Sequence, residues 1–154
     1  MSPIILSSAD DTAALAVELG AKLQAGDVLL LEGDIGAGKT HFARSLIQSL
    51  LTVSEDVPSP TFTLVQMYET EQAELWHADL YRLTSPDEVV ELGLVDAFED
   101  AICLVEWPDR LAELRPENAL TLTFALGETT GSRILTPSFN APRWASVVGA
   151  MSDG

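Results

Sequence analysis

Apolar positions along this chain change rhythm several times, and each change predicts an element. Residues 4–6, Ile-Ile-Leu, form a short apolar run that predicts an edge strand. Ser8 then supplies a helix cap with Asp10 and Asp11 in the first turn. Leu15, Leu19 and Leu23 recur every four residues on one face, until Gly26 stops the helix. Residues 28–31 are continuously apolar between Gly26-Asp27 and Glu32-Gly33, the pattern of a strand buried on both faces. A glycine-rich stretch leads into a second helix, with Phe42, Leu46, Ile47 and Leu50 on one side.

Pro58-Ser59-Pro60 forbids regular structure locally. A strand is expected over 61–68, a turn at 71–74 and a returning strand at 75–80, together a hairpin. Ser85 caps a third helix, with Pro86 in its first position and Glu88 completing a capping box. Residues 101–105 repeat the buried-strand pattern and end in Glu106-Trp107-Pro108. Strands at 119–126 and 133–136 flank a polar turn, and a last helix runs from about Ala141 with Trp144, Val147, Val148 and Met151 on one face. Wholly apolar strands mixed with helices predict a layered α/β fold, a mixed sheet flanked by helices.

At 154 residues the chain fits one domain, 1–154, whose segment from about 137 onward is a helical tail without an assigned role. The single cysteine, Cys103, forms no internal disulfide, and Cys and His have no zinc spacing. The amino terminus lacks a basic segment followed by a long apolar run, and no apolar stretch approaches the ~18 residues of a membrane span. A cytoplasmic protein without membrane contact is expected.

Charge narrows the field further. Eight basic residues face 24 acidic ones, a formal net charge of −16. Proteins that grip bare nucleic acid use a basic face to displace counterions. Here Lys22, Lys39 and six arginines are scattered, which argues against autonomous RNA or DNA binding. The acidity serves solubility or, alternatively, a basic partner.

The sharpest chemistry lies in Gly33-Asp34-Ile35-Gly36-Ala37-Gly38-Lys39-Thr40, an ungapped G-x-x-x-x-G-K-[ST] between a predicted strand and a predicted helix. Glycines there let backbone N–H groups turn toward phosphate oxygens, and the following helix adds its positive end. Lys39 is placed to bridge the β- and γ-phosphates, and the Thr40 hydroxyl to ligate magnesium. No N-K-x-D guanine-reading loop is present, so ATP is the expected nucleotide.

Such a site needs an acid at a neighbouring strand end. Alternation puts His77 and Asp79 on one face and Trp76, Ala78 and Leu80 on the other, while Glu106 ends a fully apolar run. For either acid the alternative is capping of a strand end. For His77 it is partnership with a nearby carboxylate rather than a role as base or ligand. Trp107 and Trp144 suit a core or an interface, and Cys103 suits buried packing.

Four segments in this order, the phosphate loop, Ser59-Pro60-Thr61-Phe62, His77-x-Asp79-x-Tyr81-Arg82 and Val105-Glu106-Trp107, resemble the bacterial TsaE family (formerly YjeE) over roughly residues 4–135. That resemblance implies a P-loop ATPase of tRNA threonylcarbamoyladenosine biosynthesis. Such a protein binds a TsaD–TsaB pair, and its ATP hydrolysis supports repeated threonylcarbamoyl transfer to adenosine 37 of tRNAs reading ANN codons. It reaches tRNA only through those partners. Carried onto this chain, the resemblance makes Thr40 and Glu106 the magnesium ligands and Asp79 the Walker-B-like acid. Residues 59–62 become a switch-like loop near the γ-phosphate, and Thr12 and Arg133 the further nucleotide contacts. His41 departs from the Thr usual after the loop threonine and is expected to point away. Competing expectations are a small-molecule kinase, for which the dispersed arginines offer no lid, and a nucleotide-gated scaffold with negligible turnover.

Overall fold

The structure, a computed structural model, describes residues 3–33, 37–51, 57 and 64–152, with side chains up to residue 149. Its centre is the apolar run that ends at Glu32: β2 (Val28–Glu32) lies between two strands parallel to it, β5 (Ile102–Glu106) and β6 (Leu120–Leu126). β4 (Glu74–Asp79) runs parallel to β5 on its far side, and β3 (Val65–Glu69) closes that edge as an antiparallel hairpin with β4. On the other side β7 (Arg133–Phe139) pairs antiparallel with β6, and β1 (Ile4–Leu6) pairs antiparallel with β7. The seven-stranded mixed sheet therefore reads β1-β7-β6-β2-β5-β4-β3.

Helices cover both faces, which is why β2 and β5 are apolar at every position before their terminal glutamates. One face carries α1 (Ala9–Gly20), α2 (Lys39–Leu50) and α5 (Arg143–Ser152). Leu15, Leu19, Phe42, Leu46 and Trp144 pack there against Leu29, Leu31, Leu104 and Leu120. The other face carries α3 (Pro86–Glu91), α4 (Leu94–Asp100) and a 3-10 segment, Pro108–Leu114. Val89, Leu94, Phe98 and Leu111 meet Val28, Leu30, Cys103 and Val105 on that side. Cys103 is packing, as expected: burial, with help from Asp100, pushes its thiol up to about 12.

Several boundaries differ from the expectations. The first helix ends at Gly20, well before Gly26. A side chain at Gly20 would come within 3.1 Å of Leu46, so α1 touches α2 there. The chain then leaves through a turn tied by Asp27, whose carboxylate accepts from the Gln24 N–H at 2.8 Å. Leu23 stays buried because this turn keeps it on the same face. Leu50 is only half-buried. The strand expected over 61–68 is ordered as β3 from Val65; residues 61–63 lie outside the described residues.

The helix begun at Ser85 breaks at Gly93, whose φ of 81° is left-handed, and restarts as α4. Glu88 reaches back to Thr84, accepting from its hydroxyl at 2.8 Å and its N–H at 3.4 Å, one residue beyond the capping-box target. β7 continues to Phe139 and α5 starts at Arg143 rather than Ala141. The segment from 137 onward is thus no appendage. Arg143 pairs with Asp27 at the entry to β2, and the Trp144 indole N–H donates to the Asn118 carbonyl at 2.6 Å.

Candidate nucleotide-binding site

The site forms where β2, β4 and β5 end and α2 begins. Gly33 follows β2 with a φ of 134°, and a side chain there would collide with the Phe124 carbonyl of β6 at 2.4 Å. Only glycine satisfies both constraints. Asp34, Ile35 and Gly36 lie outside the described residues. The chain returns at Ala37 and Gly38, and Gly38 (φ 103°) is the residue before α2. Unlike α1 and α3, which are capped by the Ser8 and Ser85 hydroxyls, α2 has neither a side-chain cap nor an acid in its first turn. Its leading N–H groups and positive dipole end are left to an anion.

Lys39 and Thr40 open α2 and point toward the strand ends. Lys39 is buried; its ammonium donates to the Gly33 carbonyl at 2.5 Å and lies 3.5 Å from the centre of the Trp107 ring. Thr40 donates its hydroxyl to Glu106 Oε1 at 2.8 Å. The second carboxylate oxygen, Oε2, is 2.7 Å from His77 Nε2. Asp79 is the register partner of Glu106 on the adjacent parallel strand and shares its face, so two carboxylates stand side by side. Asp79 Oδ1 accepts the Tyr81 N–H at 3.0 Å, which fixes its rotamer at the strand end.

Most of the expected residues therefore converge. Gly33, Ala37, Gly38, Lys39, Thr40, Asp79 and Glu106 lie together. Arg133, at the start of β7, joins them: its Nε donates to the Ala37 carbonyl at 3.0 Å, and its side chain lies over Gly38. Thr12 is buried in the first turn of α1, its hydroxyl donating to the Ser8 carbonyl at 3.3 Å. His41 ties the two helix starts together, its Nε2 being 3.0 Å from the Ala9 carbonyl. Thr61 and the rest of the 59–62 segment lie outside the described residues.

One contact at the loop was not foreseen in the sequence. Trp107 takes a left-handed backbone (φ 59°), a rare choice for a bulky residue, and its ring stacks between Lys39 and the half-exposed Tyr81. Its sequence signals are its place directly after Glu106 and in the Val105-Glu106-Trp107 segment.

A hydroxyl and two carboxylates are hard oxygen donors, the set that magnesium takes together with phosphate oxygens and water. Among the described residues no cluster of three His, Cys, Asp or Glu forms a self-sufficient metal cage, and a nucleotide-bound magnesium requires none. No helix is long and apolar enough to cross a membrane among the described residues.

Comparison with known proteins points to one family. A model of the family described as threonylcarbamoyl adenosine biosynthesis protein TsaE matches residues 6–134. The chain is 38% identical over 125 residues to the tRNA threonylcarbamoyladenosine biosynthesis protein TsaE of Rickettsia bellii, covering 81% of this chain and 87% of that one. It is 40% identical over 111 residues to the protein of the same name in Rickettsia felis, covering 72% of this chain and 65% of that one. Among solved structures, Bacillus subtilis YdiB superposes with a TM-score of 0.78 at 28% identity, over 99% of this chain and 94% of that one.

Proposed function

The chain belongs to the TsaE family of tRNA threonylcarbamoyladenosine biosynthesis proteins, and from that premise we propose that it is a magnesium-dependent ATPase acting with TsaD and TsaB. In this reading ATP hydrolysis supports repeated threonylcarbamoyl transfer to adenosine 37 of tRNAs reading ANN codons. The chain itself performs no transfer, and the partners hold the RNA.

The observation that carries the ATPase reading is the Thr40–Glu106 hydrogen bond of 2.8 Å at the start of an uncapped helix. It joins the loop hydroxyl to a strand-end carboxylate, with Asp79 alongside. Thr40 and Glu106 would hold magnesium, which when bound neutralises phosphate charge. Asp79 would orient water beside that magnesium, as the Walker-B-like acid. Lys39 leaves the Gly33 carbonyl for the β- and γ-phosphate oxygens, and the N–H groups of the loop and of the first α2 turn cradle the rest. Arg133 braces the loop from β7 through the Ala37 carbonyl.

Arg115 is held by Glu32, Arg143 by Asp27, and Arg133, the arginine at the loop, donates to the Ala37 and Ser132 carbonyls. Turnover by the chain alone should therefore be slow and should rise when partners complete the site. The test is phosphate release from ATP by the purified protein, then with TsaD and TsaB, then with tRNA added. A stepwise rise is expected. Equal rates under all three conditions would overturn the partner-dependent ATPase.

A further inference from the structure

We propose that His77 is the positioning residue for Glu106, locking the carboxylate so that one oxygen stays directed at Thr40 and the magnesium position. The proposal rests on the ATPase reading above, because it concerns the same acid.

Three observations lead to it. First, His77 adjoins an aliphatic row of the sheet on its β5 side, with Gln66 of β3 opposite it on the other. Its register partner on β5 is Leu104, which pairs with Leu29, which in turn pairs with Leu120. Second, the ring is fully buried, and its Nδ1 has no hydrogen-bond partner among the described residues. Buried polar atoms are rarely left this way, so the imidazole is not present to complete a core network. Third, its other nitrogen meets Glu106 Oε2 at 2.7 Å, while Oε1 of the same carboxylate accepts from Thr40 at 2.8 Å.

The carboxylate is thus held from both ends, with Nε2 as donor on the side away from the loop. A carboxylate free to rotate at the end of β5 would present either oxygen, or neither, to a cation. Held by His77, it presents Oε1. Outer partners of this kind orient a metal ligand without touching the metal. Full burial keeps His77 from acting as a base toward solvent or nucleotide.

The test compares nucleotide affinity by calorimetry with magnesium and with EDTA, and manganese binding to the ADP complex by electron paramagnetic resonance. Four full-chain variants are used: His77→Phe, His77→Gln, His77→Asn and Glu106→Gln. His77→Gln keeps a donor at the reach of Nε2, whereas the amide of His77→Asn falls short of it.

In His77→Phe, affinity in EDTA should be unchanged. Manganese affinity, and the gain in nucleotide affinity with magnesium, should fall about tenfold to a hundredfold. His77→Gln should restore most of both, and His77→Asn should not. In stimulated turnover the loss should appear in kcat more than in KM.

If Glu106→Gln abolishes the metal effect while all three His77 variants keep it, the positioning role is refuted and the magnesium reading stands. If Glu106→Gln also keeps it, the magnesium reading itself is refuted. Should His77→Phe fail to fold, equal metal affinity in His77→Gln and His77→Asn would overturn the proposal.

Discussion

At the residue scale, the site divides its work between two adjacent side chains of α2 that face different partners. Lys39 lies against Gly33 and Trp107, where an ammonium can reach the phosphates, while Thr40 lies on Glu106. The two should therefore fail differently. Removing one charge-assisted contact costs ~1.5–3 kcal/mol. Lys39→Ala should thus weaken ATP about tenfold to a hundredfold, with or without magnesium. Thr40→Ala should leave affinity in EDTA intact and lose the magnesium-dependent part. Calorimetric titration under both conditions separates them, and unchanged ATP affinity in Lys39→Ala would remove the phosphate-loop assignment. Lys39, Thr40 and Gly38 were legible because a gapless motif places them. Trp107 against Lys39 was not, because that contact depends on a left-handed backbone at one residue and on the separation of two elements in space.

At the element scale, α2 is specialised by what its amino terminus lacks, and α5 by what it anchors. α2 begins without cap or acid, so its stability comes from Phe42, Leu46 and Ile47 packed on the sheet and from the Phe42–Phe124 edge contact at 5.3 Å. α5 fastens the opposite end of β2 from the phosphate loop: Arg143 holds Asp27, and Trp144 is buried with its indole on Asn118. Trp144→Ala should destabilise the fold by ~3–5 kcal/mol, through lost transfer energy and the cavity left behind. A fall in Tm of about 10 °C or more is the expected signature. Below the new transition, ATP affinity should be unchanged, since β2 lies between the two ends. A large affinity loss with an unshifted Tm would contradict this division. The helix assigned from about Ala141 was right in kind, but its docking was invisible: nothing in residues 141–152 names Asp27 or Asn118 as partners.

At the scale of the whole molecule, charge and architecture point the same way. A net charge of −16 opposes phosphate-backbone binding, so the purified chain should show no saturable tRNA binding at physiological salt in a filter or fluorescence assay. Tight binding by the chain alone would refute delivery of the RNA by partners. The sequence by itself determined the α/β class, the buried central strands, the glycine-rich loop motif and the two strands that end in an acid. Each of these depends on local periodicity or on a contiguous motif that near neighbours in the chain enforce. It also put His77 and Asp79 on one face, since strand alternation has a period of two. Only the tertiary structure decided that β4 stands beside β5 in a register that sets Asp79 next to Glu106. It alone brought Arg133 from the far wing of the sheet onto Ala37, turned the Thr12 hydroxyl toward Ser8, and joined Thr40, Glu106 and His77 in one chain of contacts. Strand order and register are set by how whole faces pack against helices distant in sequence. A one-residue slip would carry every side chain of a strand to the opposite face, so these meetings are properties of the assembled sheet and not of any single segment.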